Sequence, residues 1–481
     1  MAADFNKALA FIVGEKNVIP AAGDQAAPYH DLFGYIANRG TEIVSAVLPG
    51  SVEEVQAAVR LIRKKGLGLW STPNTRGNGA VIARDDRPGL IIDLQRMNKI
   101  LEVDATSACA LVEPGVSYRQ LYEYLTEKQI PLWIDCDRDP GNSIVGSICS
   151  RQMGYTPYGD HLMMQSGMEI VLGDGQLMRT GMGALPKSDT WQLFKYNFGP
   201  YWDGMFTQSD MMIVTKAGFW LMPQPSVYMP FMVTLPGHTD LNQAVELLRP
   251  LKINSVIPNT VAVTNGVLDL TSHQQRGELI KDGRPDRDAI KAKGFGAWNI
   301  YGALYGIRDN VDLTWQAVAT AFNSIDGAKI HLQQDRTDDP VWRDRRDLMQ
   351  GKPLTESRAF SGWGGSQFMT LTAAAPMEGD AAMRMHDIAS GVVSEHGLDY
   401  LSEFLLPGRV LLKYIYLPYE RKDAASRENA VNAGRNLIDQ LTRAGYGIVH
   451  ESLELRHIAD SYYQGTPLDD LIARIRSGIV A

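Results

Sequence analysis

At 481 residues the chain is too long for one compact core of ordinary size, so two or three lobes are expected. Its make-up, 44% hydrophobic and 21% charged, is that of a globular protein, and a formal charge of -8 leaves no basic footprint for nucleic acid or an anionic membrane surface. A small-molecule partner is the better expectation.

The start, MAADFNKALAFIVGEKNVIP, has no basic region followed by a long apolar core and a small-residue cleavage site. A cytoplasmic protein is expected, with the periplasm left open, and no run of eighteen apolar residues announces a membrane span. The spacing of residues 52–65 (VEEVQAAVRLIRKK) predicts a helix, and GLGLWSTPN a short buried strand entering a loop at 71–80. GLIIDL (89–94) and ALVEPG (110–115) read as strands, and YRQLYEYLTEK (118–128) as a helix, which makes a mixed α/β lobe. MEIVLGDGQLMRT is a hairpin about Gly173-Asp174-Gly175. Pro223 and Pro225 mark a shift in composition, and a domain boundary is placed at 225. Beyond it, strands such as YMPFMVTL and SQFMTLTAAAP alternate with amphipathic helices such as LNQAVELLRPL and SRENAVNAGRNLIDQLTRAG, the pattern of an α+β lobe. The mixed charges of 274–294 read as solvated surface. Cys109, Cys136 and Cys149 have no C-x-x-C spacing and read as buried thiols; neither a metal-ligand spacing nor a Ser-His-Asp set stands out.

The loop STPNTRGNGA (71–80) carries small and polar side chains, with Gly77 and Gly79 free to turn consecutive backbone N–H groups inward as an anion nest. An ordinary glycine turn between strands is the alternative for the same residues. The ordered series EPGVSYRQLYEYL (113–125), GYTPYGDH (154–161), GMEIVLGDGQLMRTGMGALP (167–186), WQLFKYNFGPYWDGMFTQSD (191–210) and MIVTKAGFWLMPQP (212–225) resembles the 4-cresol dehydrogenase flavoprotein and vanillyl-alcohol oxidase family. The resemblance covers nearly the whole chain. It implies an α+β flavoprotein: an FAD-binding lobe (1–225, completed by 455–481) and a cap or substrate lobe with an antiparallel sheet flanked by helices (226–454). It also places the FAD pyrophosphate at Thr72, Pro73, Asn74, Thr75, Arg76, Gly77, Asn78 and Gly79. The remaining cofactor wall is expected at Pro114, Gly115, Ser143, Ile144, Gly146, Tyr155, Ile213, Val214 and Thr215. A homodimer, and a cytochrome c or dioxygen as electron acceptor, are the family's expectation.

Departures from the family pattern carry as much information. Where members tether the flavin, this chain has Phe360 or Ser361, and Ser366 near the histidine position, so FAD is expected to be non-covalent. The family's phenolate clamp falls on Asn78, Val449 and His450, and each charge-assisted hydrogen bond so lost removes roughly 1.5–3 kcal/mol. Simple 4-alkylphenols are therefore poor expectations. The position of a family aspartate above the flavin is Arg138, which either orients an anionic or carbonyl-bearing substrate or belongs to a mixed-charge surface loop. Tyr155 matches an active-site tyrosine, and Arg345 with Glu356 a charged pair beside the flavin. The catalytic set expected is thus Tyr155, Arg138, Arg345, Glu356 and His450. The chemistry implied is hydride removal from a benzylic or allylic carbon or an alcohol; a non-catalytic scaffold partnering an active homologue or a cytochrome is the alternative.

Overall fold

The structure, a computed structural model, describes residues 2–21, 29, 43–73, 88–355, 360–363, 367–420 and 422–480. Helix α1 (Ala2–Val13) leads into β1 (Val18–Pro20), β2 (Ile43–Val47), α2 (Val52–Lys64), β3 (Gly68–Thr72) and β4 (Gly89–Asp93). Ser51 starts α2 by accepting the Glu54 amide on its side chain, which satisfies a donor that the first helical turn leaves unpaired. Val55, Ala58, Val59 and Ile62 recur at helical spacing and pack into one core with Phe5, Leu9, Leu90 and Ile92. The strands pair in the order β1-β2-β4-β3, with β4 parallel to both neighbours and buried along its length, as strands covered on both faces are.

A second sheet follows from β5 (Ile100–Asp104) and β6 (Cys109–Val112). Helices α3 (Tyr118–Glu127), α4 (Ile144–Cys149) and α5 (His161–Met164) come next, then β7 (Gln165–Leu172), β8 (Leu177–Arg179) and β9 (Met212–Trp220). Its order is β5-β6-β9-β7-β8, antiparallel throughout. The turn between β7 and β8 is the predicted hairpin, with Gly175 at φ 80°, where a side chain would also run into Arg60.

From β10 (Val227–Leu235) the chain alternates α6 (Asp240–Ile253), β11 (Val261–Asn265), α7 (Gly266–Leu270), β12 (Trp298–Gly306), α8 (Arg308–Phe322), β13 (Lys329–Leu332) and α9 (Pro340–Met349). It continues through β14 (Gln367–Pro376), α10 (Gly379–Glu395), β15 (Leu401–Leu406), β16 (Val410–Tyr419), α11 (Ala424–Arg443), β17 (Gly447–Glu451) and α12 (Leu453–Ser461). Among the described residues these strands make one antiparallel sheet of eight, β13-β10-β12-β11-β15-β16-β14-β17. Its core joins inward residues of the sheet, such as Phe231, Ile300 and Ile415, to Leu241, Phe322, Met385 and Leu437 of the helices. The last helix is α13 (Pro467–Val480).

By their internal contacts, Met1–Gln152, Asp160–Pro223 and Gly465–Ala481 form one unit, and Met153–Gly159 with Gln224–Gln464 form the other. The return to the first unit thus begins at Gly465 rather than near 455, because β17 and α12 stay with the large sheet. The short 153–159 segment, which carries Tyr155, also belongs to the second unit.

Candidate functional site

In the first unit a pocket open to solvent, whose empty space of about 350 Å³ runs out into that solvent, is walled by Ser71 and Pro73, by Leu94 and Pro114, by Val145, Gly146 and Cys149 of α4, and by Phe206, Met212 and Val214. Its position follows from local bonding. Ser143 caps α4 by accepting the Gly146 amide at 2.9 Å and donates to the Pro114 carbonyl at 2.5 Å, and the Ile144 amide donates to Val116, so α4 is sewn to the turn at 113–116. That turn approaches the chain at 94–97 so closely that a Cβ on Gly115 would lie 2.8 Å from the carbonyl oxygens of Gln95 and Met97. Only glycine fits there.

Four of the expected wall residues line this pocket: Pro73, Pro114, Gly146 and Val214. Alternation along β9 explains why the neighbours of Val214 do not. Met212 and Val214 share the pocket face, whereas Ile213 points into the core beneath α2, and Thr215 donates to the Glu169 carbonyl at 3.1 Å. Ser143, Ile144 and Gly115 shape the wall from behind, and Thr72 is buried at the end of β3. Asn74, Thr75, Arg76, Gly77, Asn78 and Gly79 lie outside the described residues. Sequence reading missed Leu94, Cys149, Phe206 and Met212 as wall residues, while Val145 falls within the expected stretch 143–146. Cys149 lies at i+4 from Val145 on α4, a spacing that could have found it. Burial pushes the Cys149 thiol up to about 12, so it stays protonated and acts as an apolar wall. All three cysteines are buried and free. Walls of this kind fit a flat heteroaromatic part of FAD better than its phosphates.

Arg138 is partly exposed in the loop between α3 and α4. The loop is pinned on both sides of it. Asp135 contacts Nε2 of His161 at 2.7 Å, the other ring nitrogen of His161 is 3.3 Å from the Tyr118 hydroxyl, and Asn142 donates to Asp137 at 2.7 Å. Burial raises the Asp137 carboxyl above its usual range, and Asp160 caps α5 through the Met163 amide. Asp135, Asp137 and His161 are thus architecture that fixes the loop carrying Arg138.

In the second unit Tyr155 and Arg345 come together: the guanidinium carbon lies 5.9 Å from the Tyr155 ring centroid and 4.8 Å from that of Tyr301. Glu356, the expected partner of Arg345, lies outside the described residues. Arg345, on α9, donates to Asp269 at 3.0 Å and to Glu403 at 3.5 Å, with all three side chains nearly inaccessible. Asp269 also accepts from Thr264 at 2.6 Å and Asn299 at 2.9 Å, and Glu403 from Tyr416 at 2.7 Å. Burial raises the Asp269 carboxyl against the pull of Arg345. Among the described residues one cation thus faces two buried carboxylates.

Tyr416 extends this cluster to an aromatic group. Phe360, buried and at φ 61°, lies 4.1 Å from Phe368 and 5.2 Å from Tyr416 between ring centroids. Its neighbour Ser361 donates to the Ser272 carbonyl at 2.9 Å, and Ser366 lies outside the described residues. His450 sits on β17 opposite Thr372, and burial beside Arg456 holds its imidazole down at about 4. It is therefore neutral at physiological pH.

A family described as FAD binding domain matches residues 45–181. The flavoprotein subunit of 4-cresol dehydrogenase (hydroxylating) from Pseudomonas putida is 34% identical over 472 residues, spanning 95% of this chain and 90% of the relative. The solved structure of p-cresol methylhydroxylase with substrate bound superposes with a TM-score of 0.93 at 33% identity, over 99% of this chain and 94% of that one. The isoeugenol complex of 4-ethylphenol oxidase from Gulosibacter chungangensis gives the same TM-score and coverage at 28% identity.

Proposed function

The chain belongs to the 4-cresol dehydrogenase and vanillyl-alcohol oxidase family of FAD-binding oxidoreductases, and from that premise we propose a dissociable flavin and a substrate other than a simple 4-alkylphenol. It is an FAD-dependent dehydrogenase or oxidase of aromatic compounds. When bound, FAD supplies the two-electron acceptor for a hydride leaving a benzylic or allylic carbon or an alcohol. The protein's part is to bind and orient. Pro73, Pro114, Gly146 and Val214 hold part of the cofactor, the loop at 74–80 its pyrophosphate, and Tyr155, packed against the Arg345 guanidinium, orients the reacting partner.

Phe360 carries the proposal of non-covalent FAD. It stands where relatives carry a linking side chain, and its ring offers only carbon, packed against Phe368 and Tyr416. The substrate reading rests on the replaced phenolate clamp: Val449 has no hydroxyl, and the His450 imidazole is neutral. Arg138, on its pinned loop, is the proposed contact for a carboxylate or carbonyl on a bulkier aromatic substrate. A cytochrome c is the favoured electron acceptor, since the Pseudomonas relative is named as a flavoprotein subunit, with dioxygen second.

The test is anaerobic bleaching of the flavin band in the FAD-loaded protein against aromatic alcohols, alkylphenols and aromatic acids bearing a benzylic hydrogen. Stoichiometric bleaching by a bulkier alcohol or an acid, and little by 4-cresol, is expected. Rapid bleaching by 4-cresol would overturn the substrate reading, and bleaching by none would overturn the activity.

A further inference from the structure

The loop between α3 and α4 holds Arg138 between two anchors of different kinds. After Arg138 the backbone is tied to α3: Arg119 donates its amide to the Pro140 carbonyl at 2.9 Å, and Tyr118 its amide to the Asn142 carbonyl at 3.2 Å. The turn also closes on itself, since Asp137 accepts from the Asn142 side chain at 2.7 Å and Asp139 from the Gly141 amide at 2.9 Å. Before Arg138 the loop is held from another element. Asp135 meets Nε2 of His161, the first residue of α5, at 2.7 Å, with both side chains nearly inaccessible.

His161 sits on a rigid support. Asp160 caps α5 through the Met163 amide at 2.9 Å, and α5 runs directly into β7, which is buried along nearly all its length. The imidazole is fixed at its other nitrogen as well, 3.3 Å from the Tyr118 hydroxyl, and its centroid lies 5.9 Å from that of the buried Tyr118 ring. A carboxylate only accepts, so Nε2 carries the proton in the bond to Asp135. A ring bonded at both nitrogens keeps one orientation, and the end of the loop that it holds keeps one position.

We infer that His161 is a positioning residue that acts through Asp135 on Arg138, and so sets the preference for an anionic aromatic ligand over a neutral one. That role rests on the Arg138 contact proposed above. Arg138 follows Asp135 by three residues, about 10 Å of extended chain, too little to absorb a release at Asp135 before it reaches the guanidinium. Recognition of a carboxylate by a guanidinium uses two parallel N–H bonds, and a displacement of about 1 Å spoils them. Apolar contact with a neutral ligand is non-directional and tolerates the same displacement.

The test titrates the FAD-loaded protein with 2-naphthoate and with 2-naphthamide, similar in shape but charged and neutral, and reads binding from the flavin absorption band. The wild type should favour the acid about tenfold or more, the worth of a charge-assisted bond over a neutral one, and Arg138→Gln should abolish that preference. A glutamine amide nitrogen takes the place of Nε2, and an asparagine amide nitrogen that of Nδ1. His161→Gln therefore keeps the bond to Asp135 and should keep the preference to within about twofold, whereas His161→Asn keeps only the bond to Tyr118 and should lose it as Arg138→Gln does. Each histidine variant gives up one ring bond, so their melting midpoints should fall alike, which separates positioning from packing. Asp135→Ala breaks the same bond from the loop side and should give the same loss, should His161→Asn fold poorly. A wild type that does not favour the acid, or a preference that Arg138→Gln leaves intact, overturns the Arg138 contact and the inference with it. A preference abolished by Arg138→Gln but unchanged in His161→Asn and Asp135→Ala overturns the inference alone, as does an equal loss in the two histidine variants.

Discussion

The pocket of the first unit and the charged cluster of the second are opposite kinds of interior. The pocket is a cleft open to solvent whose walls, Leu94, Val145, Phe206, Met212 and Val214 among them, make few demands on one another. Around Arg345 the space is filled: two carboxylates, a guanidinium, Tyr416, Thr264 and Asn299 already satisfy each other. A void adds nothing to folding until something enters it, whereas a buried ionic network is costly to disturb whether or not a ligand is present. Substitutions in the pocket should therefore alter binding, and substitutions in the cluster should alter the apoprotein itself.

The largest expected effect is in the cluster. Arg345→Met removes the cation that Asp269 and Glu403 share among the described residues and should destabilise the apoprotein by about 3–5 kcal/mol in urea denaturation. The sign of its pH dependence is fixed. Burial already holds the Asp269 carboxyl above its ordinary value, and losing Arg345 pushes it further up, so the folded state binds more protons than the unfolded one. The penalty should be full at neutral pH and shrink as the medium is acidified into the ordinary carboxylate range. A flat penalty would mean that Asp269 does not titrate with folding.

Next comes the pocket. Val214→Phe fills part of the void and should weaken FAD binding about a hundredfold in equilibrium titration, leaving the unfolding midpoint of the apoprotein within about 1 kcal/mol of wild type. Ile213→Phe, one residue away but aimed into the core, should do the reverse, with a stability loss of about 1–3 kcal/mol. Equal effects from the two would break the contrast between void and filled interior.

A smaller effect is expected at Lys413, a buried lysine of the second unit. It donates to Tyr400 at 2.9 Å and Ser402 at 2.7 Å, and its nitrogen lies 3.9 Å from the Phe404 ring centroid; among the described residues it makes no ion pair. Burial without a carboxylate drives its ammonium well below the usual lysine value. Lys413→Met should therefore cost under about 2 kcal/mol, the worth of two neutral hydrogen bonds partly offset by apolar contact. The unfolded lysine holds a proton that the folded one lacks, so wild-type stability rises as pH climbs from the depressed pKa towards 10.5, and the variant should lose that rise.

Most elements were legible in the sequence because their periods are local. The α2 stripe, the Gly173-Asp174-Gly175 hairpin and the strands and helices after 225 each announce themselves within a dozen residues. The pocket was half legible. Resemblance pointed to the consecutive residues 213–215, but a strand shows only alternate side chains to one side, and only Val214 of the three reaches the pocket. The cluster was the least legible, since Asp269 lies 76 residues from Arg345, and Glu403 58 residues. Such pairing is set by the order of strands in the large sheet. A local hint was an acid inside an apolar run, Glu403 in YLSEFLL. Its burial demands a partner that the run itself does not contain.

The most direct measurement of the central claim is an absorption spectrum of the purified protein, repeated on the supernatant after acid precipitation. The account predicts flavin bands in the native protein that pass wholly into the supernatant, because Phe360 provides no linking atom. Flavin retained in the pellet would contradict it and place a covalent link at some other side chain.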